Sequence, residues 1–399
     1  MIKDNFVIPN GISLYIHIPF CHTKCFYCDF NTYTKLESLI PSYIKALKSE
    51  LDLWSNHLHK SEIKSIFIGG GTPSYIPANY IKELLNTIFS KFNVRESSEI
   101  TLESNPNDLS KKKLNTYKKS GINRISMGVQ SFDDSLLQDL GRRHSQQNAI
   151  DAYYIAKEAG FENISLDLMY GLPKQNIKQW IDTLSKLLTL KPLHVSMYGL
   201  TLEEGTPMHQ WVKDGQLIKP NDDIAADMYI KAVDIMCENQ YLQYEISNWA
   251  IPGFESKHNL NYWNNNAYLG IGPGAHSYIP PYRFSNIKSP KEYTKYLNNI
   301  KTKEFDNISL SKENLKFIDI YEKIDKSLEI SETIMLGLRL NSGIKIKRFI
   351  DRFAINPLDI YSSTFNELKK NKLLEFSNSY IKLTPKGRLL SNEVFLKFF

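Results

Sequence analysis

Cysteine is scarce in this chain. There are four in 399 residues, too few for the disulfide framework of a small secreted domain. Long hydrophobic runs are missing as well: no apolar stretch approaches the ~20 residues that a membrane-spanning helix needs. The opening Met1-Ile-Lys-Asp-Asn-Phe6 lacks the basic segment and apolar stretch of a signal peptide, so a reducing, cytoplasmic setting is expected. Neither sign of charge dominates. Lys and Arg number 49 against 43 Asp and Glu, a net charge of +6. The excess sits in runs such as Lys111-Lys112-Lys113 and Lys118-Lys119, which read as solvated helix faces rather than a nucleic-acid footprint. At 42% hydrophobic and 23% charged, the composition is that of an ordinary globular protein. The length allows one large domain with one or two smaller ones.

The few cysteines are not scattered. Three fall in Cys21-His-Thr-Lys-Cys25-Phe-Tyr-Cys28. Thiolates at C-x3-C-x2-C spacing can each hold one iron of a four-iron cubane, leaving one iron without a protein ligand. An open coordination position is what separates a catalytic metal site from a structural one. The alternative is zinc on the three cysteines plus His22 or a distant ligand, but zinc ligands usually come as two separated pairs, and the other histidines supply no second pair. Cys237 lies in the helical pattern of Ala232, Ile235 and Met236 and is expected in the core.

From Ser13 to about Leu200, strand-like and helix-like segments alternate. Leu14–Ile18, Ser65–Ile68, Ile100–Leu102, Arg124–Val129, Ile164–Met169 and His194–Tyr198 read as buried strands. Helical periodicity fills Ile40–Leu58, Ala149–Ala159 and the stretch with Ile177, Trp180, Ile181, Leu184, Leu187 and Leu188. Six strand–helix repeats argue for an α/β protein with a parallel sheet and right-handed crossovers. They fit an incomplete (β/α)6 barrel of the TIM type; a doubly wound sheet is the competitor. Beyond residue 200 the alternation stops. Asp222–Asn239 reads as a helix and Tyr241–Ile246 as a strand. The Gly270-Ile-Gly-Pro-Gly274 run reads as loop or turn, and helical patterns resume over Pro290–Leu340. The last residues suggest helices, a small hairpin and a terminal helix, a winged-helix-like end. The expected domains are 1–205, 206–340 and 341–399.

In parallel α/β barrels the reactive face lies at the C-terminal ends of the strands. The first strand runs into the cysteine loop. The second is followed by Gly69-Gly70-Gly71-Thr72-Pro73, the third by Glu103-Ser104-Asn105-Pro106, the fourth ends Gln130-Ser131, and the fifth carries Asp167 before Tyr170-Gly171-Leu172-Pro173. Singly, each is a turn or cap residue. Together, beside the cysteines, they are expected to form one pocket.

These motifs resemble the radical S-adenosylmethionine superfamily, and within it the anaerobic coproporphyrinogen oxidase family, from about residue 12 to the C-terminus. The resemblance implies a [4Fe–4S] cluster on Cys21, Cys25 and Cys28, with S-adenosylmethionine on the fourth iron and one-electron cleavage of its S–C5′ bond. By motif matching, Gly70, Gly71 and Thr72 would line the methionine end, and Tyr15 and Tyr27 would flank cluster and cofactor. Glu103, Gln130, Arg142 and Asp167 would complete the pocket, with Arg143 a rival to Arg142. The family's oxidases carry a further cysteine two positions after the third ligand and a long N-terminal extension. Here Phe30 stands at that position and a short segment precedes the first strand.

His258-Asn259-Leu260-Asn261-Tyr262-Trp263 matches a motif of the family's haem-chaperone branch. Histidine is a natural haem ligand and aromatic rings suit a flat macrocycle. Read without the resemblance, His258 caps a turn and the aromatics are core; His276 is a second candidate ligand. The expected function is a haem chaperone that hands haem to acceptor proteins, those of a respiratory chain among the candidates, with an electron donor for the cluster and at most peripheral membrane contact. The rivals are an oxygen-independent coproporphyrinogen III oxidase and, through the winged-helix-like tail, a nucleic-acid-associated protein, although that tail lacks a basic recognition helix.

Overall fold

The computed structural model describes residues 8–58, 61–300 and 315–399. Six strands, β1 (Ile12–Ile18), β2 (Glu62–Gly70), β3 (Asn93–Ser104), β4 (Arg124–Gln130), β5 (Asn163–Tyr170) and β6 (His194–Gly199), alternate with helices. The helices are α1 (Ile40–Leu58), α2 (Ala78–Lys91), α3 (Lys111–Lys119), the pair α4 (Asp134–Asp139) and α5 (Gln146–Glu158), and α6 (Ile177–Leu190). The six strands are parallel and lie in sequence order. A doubly wound sheet requires the strand order to reverse at a switch point. No reversal occurs, and the sheet ends in two open edges, so this is an incomplete barrel.

The strands alternate rather than run uniformly apolar. Ile12, Leu14, Ile16 and Ile18 of β1, Ile125, Met127 and Val129 of β4, and Ile164, Leu166 and Leu168 of β5 pack in the main core with helix residues such as Trp54, Leu84 and Trp180. The residues between them are polar and face the barrel interior. Local chemistry sets the helices. α6 begins in a capping box, with Gln179 N donating to Asn176 Oδ1 (2.9 Å) and Asn176 N to Gln179 Oε1 (3.1 Å). Its buried stripe is Trp180, Leu184 and Leu187, and it stops at Lys191, which turns left-handed at φ 53°.

The chain past residue 200 extends the same sheet. After α7 (Pro207–Lys213) and α8 (Asp222–Glu238) come β7 (Leu242–Glu245) and β8 (Asn248–Ala250), antiparallel beyond β6. Helix α9 (Lys257–Trp263) leads to β9 (Tyr268–Ile271), which pairs parallel to β1. Strands β10 (His276–Ile279), β11 (Tyr282–Asn286) and, after α10 (Pro290–Asn299), β12 (Ile318–Lys323) follow antiparallel. Gly270 and Ile271 are thus strand, not loop. The glycine is needed because a side chain there would collide with the His276 carbonyl. The expected helical stretch 290–340 is interrupted by β12, and its residues 301–314 lie outside the described ones. Cys237 is exposed, not core. The buried face of α8 is Met228, Tyr229, Ala232 and Met236, and one step past Met236 turns ~100° round a helix.

Glu50 of α1 clamps this returning segment. It is fully buried and accepts from Gly272 N (2.8 Å), Asn286 Nδ2 (2.8 Å) and Tyr293 OH. After α11 (Lys326–Arg339) the chain builds a smaller lobe from β13 (Ile344–Lys345), α12 (Ile346–Phe353), α13 (Pro357–Ile360), α14 (Ser362–Lys370), β14 (Leu374–Phe376), β15 (Tyr380–Leu383), α15 (Pro385–Leu389) and α16 (Ser391–Phe395). Its three strands form a separate sheet in the order β13-β15-β14. It also has its own core, including Phe349, Phe365, Ile381 and Val394. Among the described residues no helix is long and apolar enough to cross a membrane.

Candidate functional site

The polar inner face encloses a cavity of about 560 Å³. Alternate residues of β4, namely Arg124, Ser126, Gly128 and Gln130, line it, as do Asp167 of β5 and Ser196 and Tyr198 of β6. Of the site residues expected from sequence, Cys21, Cys25 and Cys28, Tyr15, Tyr27, Gly70, Gly71, Thr72, Glu103, Gln130, Arg142, Asp167 and His258 are on its wall. His276 is not among the lining residues; it is exposed at the start of β10.

The cysteine loop is held against the glycine turn by backbone bonds that continue past the ends of β1 and β2. Gly71 N donates to Ile18 O (2.8 Å) and Thr72 N to Phe20 O (2.9 Å). A Cβ on Gly71 would stand 3.0 Å from Cys21 Sγ, and one on Gly70, where φ is +114°, would stand 2.7 Å from the His17 ring. The approach therefore requires glycine. Under the loop, Phe26 and Tyr27 rest on an apolar pad of Leu136, Leu140, Met169 and Met208. Cys21 Sγ is 3.4 Å from Thr72 Oγ1, and Arg142 Nη1 is 3.5 Å from Cys25 Sγ. Arg142 Nη2 also donates to Gly128 O (2.5 Å), while Arg143 is paired with Asp108 at 2.9 Å. Of the two arginines, Arg142 is the one turned to the thiols.

Burial pushes the Cys21 thiol up to about 11 and raises that of Cys28, with the neighbouring cysteines adding to both. A bound cationic centre would remove that penalty, because a coordinating thiol is deprotonated. Among the described residues no three His, Cys, Asp or Glu side chains converge on a single point to hold one ion. The three cysteines nevertheless line the same cavity.

Two carboxylates lie deeper. Glu103 accepts from Gly70 N (3.0 Å), and burial, then the charge of Asp167, push it up to about 7. Asp167 accepts from Ser126 Oγ (2.9 Å) and Ser165 Oγ (2.9 Å), and burial raises it too. Arg124, 2% exposed, faces both from the inner end, and its Nε has no hydrogen-bond partner among the described residues. Tyr15 OH shares a hydrogen bond with His17 Nδ1 (2.9 Å), whose Nε2 meets Asn31 O (2.9 Å), so β1 is tied to the segment just after Cys28.

His258 sits at the floor, 1% exposed. Its Nδ1 meets Ser65 Oγ (2.9 Å), its Nε2 meets Tyr262 OH (3.2 Å), and its ring stacks on Phe67. Burial and then Arg124 push it down to about 3, so the imidazole is neutral. Capping is not its role: Ser256 Oγ caps α9, and Glu99 accepts from Lys257 N and His258 N. Sequence reasoning did not single out Arg124, Phe67, Ser196 or Tyr198. The signal was present, because each lies two or four residues from an inward position in a strand of period two.

Fold and cavity together define the class, a radical S-adenosylmethionine protein. Residues 15–187 match the Radical SAM superfamily model and residues 324–390 the HemN C-terminal domain model. The structure resembles the Escherichia coli coproporphyrinogen III oxidase HemN with a TM-score of 0.83 at 23% identity, covering 98% of this chain and 90% of that one. Closer in sequence are proteins named heme chaperone HemW. That of Bacillus subtilis is 38% identical over 97% of this chain and 98% of its own length, and that of Haemophilus influenzae 34% identical over 96% of each. A Danio rerio protein named radical S-adenosyl methionine domain-containing protein 1, mitochondrial, is 34% identical over 96% of this chain and 85% of its own length. The chain belongs to the HemW family. The superfamily implies a [4Fe–4S] cluster and S-adenosylmethionine.

Proposed function

We propose that this protein is a cytoplasmic haem chaperone that binds haem and passes it to acceptor haem proteins, respiratory-chain proteins among them. Cys21, Cys25 and Cys28 hold the cluster. Gly70, Gly71 and Thr72 present backbone to the methionine end of S-adenosylmethionine, Arg142 pairs with its carboxylate, and Glu103, Gln130 and Asp167 surround the rest. Tyr15 and Tyr27 close the walls. Bound together, the two groups supply reductive cleavage chemistry, for which an outside electron donor is needed. The chain's own part is to orient the cofactor, exclude water and keep two carboxylates beside a cationic sulfonium. His258 supports the haem site indirectly, by holding α9 in place through Ser65 and Tyr262; to ligate iron, its Nε2 would have to leave Tyr262.

The observation that carries the reading is position 30. Phe30 lies on the cavity wall, 65% exposed, where the oxidases have a further cysteine. The second reading, an oxygen-independent coproporphyrinogen III oxidase in porphyrin biosynthesis, draws on the likeness to HemN. The test is a haem titration followed by the Soret band, run beside a coproporphyrinogen assay on protein reconstituted with iron, sulfide and S-adenosylmethionine. Stoichiometric haem binding without protoporphyrinogen formation is expected. Protoporphyrinogen at a useful rate would reverse the assignment. Cys25→Ser should lose the cluster's visible absorption, and a cluster retained in that variant would refute the ligand set.

A further inference from the structure

A second cavity, of about 550 Å³, lies between α9, β7 and the small lobe. It is of the size that takes one drug-sized ligand. Helix α9 is the wall between the two cavities. His258, Asn259 and Tyr262 face the first, whereas Leu260 and Trp263 face the second. The second cavity's other apolar lining is Leu242, Leu340, Ile344 and Phe349, and Leu242 is 55% exposed. Its cations are Lys345, Arg348 and Arg352. Arg352 is spent on Glu329 (2.6 Å) and on Asn265 O (2.9 Å) at the end of α9. Lys345 and Arg348 form no ion pair among the described residues; Arg348 donates only to Asn264 and Asn266. Glu255, the one acidic residue on the wall, accepts from Gly253 N (3.1 Å).

We propose that this second cavity is the seat of the macrocycle: a site for a flat apolar molecule bearing carboxylates, with its face on Leu242 and on the side of Trp263 away from Arg339, whose guanidinium covers the other side at 4.2 Å, and its carboxylates on Arg348 and Lys345. A planar guanidinium with no acidic partner suits a carboxylate, and an indole face suits an extended ring. The inference rests on the haem-chaperone reading and gives it an address outside the cluster cavity. It has a consequence that axial ligation by His258 does not share. The wall offers no His, Cys or Met, and the hydroxyl of its Tyr244 is taken by His194 Nε2 (2.8 Å). Recognition therefore rests on the ring and the carboxylates rather than on iron.

The experiment titrates haem and iron-free protoporphyrin IX into the full-length protein and into Arg348→Glu and Leu242→Asp. Arg348 and Leu242 are exposed, so both substitutions should fold; circular dichroism and the cluster spectrum verify it. Both macrocycles should bind the unaltered protein comparably, and Arg348→Glu and Leu242→Asp should each weaken both by about tenfold or more. If the unaltered protein binds haem but not protoporphyrin IX, or if both surface variants bind unchanged, this site is wrong while the chaperone reading stands. If the unaltered protein binds neither, both fall.

Discussion

A single carboxylate shows how the site works at the scale of one residue. Glu103 is buried beside Asp167 and is held near 7 rather than in the usual carboxylate range. A cationic sulfonium favours its ionised form. S-adenosylmethionine should therefore bind more tightly as pH rises through about 7 and more weakly below it, by up to about tenfold per pH unit on the acid side. Glu103→Gln should bind weakly at every pH with that slope gone, as read by equilibrium dialysis on reconstituted protein. A wild-type affinity flat from pH 6 to 8 would mean that Glu103 does not face the charge. Residues of this kind were legible in the sequence when they stood in a strand beside a motif, as Glu103 does at the end of β3 and Asp167 does in β5 ahead of Tyr170-Gly171-Leu172-Pro173. Arg124 opens its strand, and Ser196 and Tyr198 follow no motif, so only the alternation of inward and outward positions could have found them.

At the scale of the element, helices were easier to read than their packing. The stripe Trp180, Leu184 and Leu187 marked α6, and Trp180 proves fully buried, with its Nε1 donating to Met228 O (2.8 Å). Trp180→Ala should cost about 3–5 kcal/mol in chemical denaturation, because it leaves a cavity and strands a carbonyl. Asn176→Ala, at the N-cap, should cost about 1 kcal/mol. Equal losses would show that α6 is not seated on the core as described. Helix α9 was not legible in the same way. Its sequence marks a motif, but a seven-residue helix with cavity-facing residues on both sides is visible only once both cavities exist. Gly270 misled for a related reason: glycine usually breaks a strand, and here it lets one pass close beside another.

At the scale of the whole molecule, the barrel is completed by residues far away in sequence. Glu50 fastens α1 to the turn after β9 and to β11 and α10, and burial holds it up at about 7 against an ordinary 4.5. Its folded value is raised. The stability it contributes is thus complete below about 4.5 and is lost as pH rises through about 7, by roughly 3 kcal/mol. The stability gap between the unaltered protein and Glu50→Gln should shrink by that amount from pH 5 to pH 8 in urea titrations. A gap constant with pH would show the carboxylate ionised throughout. The two cavities are joined on the same scale, since Tyr244 on the second wall connects through His194 and Ser165 to Asp167 on the first.

By itself the sequence determined the cofactor class. Three thiolates at C-x3-C-x2-C spacing are brought together by a short loop, and covalent geometry over eight positions leaves little freedom. It also determined the parallel sheet, because strand and helix periods are local. The tertiary structure alone decided that His258 meets Ser65 across 193 positions, that Cys237 faces solvent, and that one motif serves two cavities. Those facts depend on which faces the curvature of the sheet turns inward, and that is set by packing among distant segments rather than by any spacing along the chain.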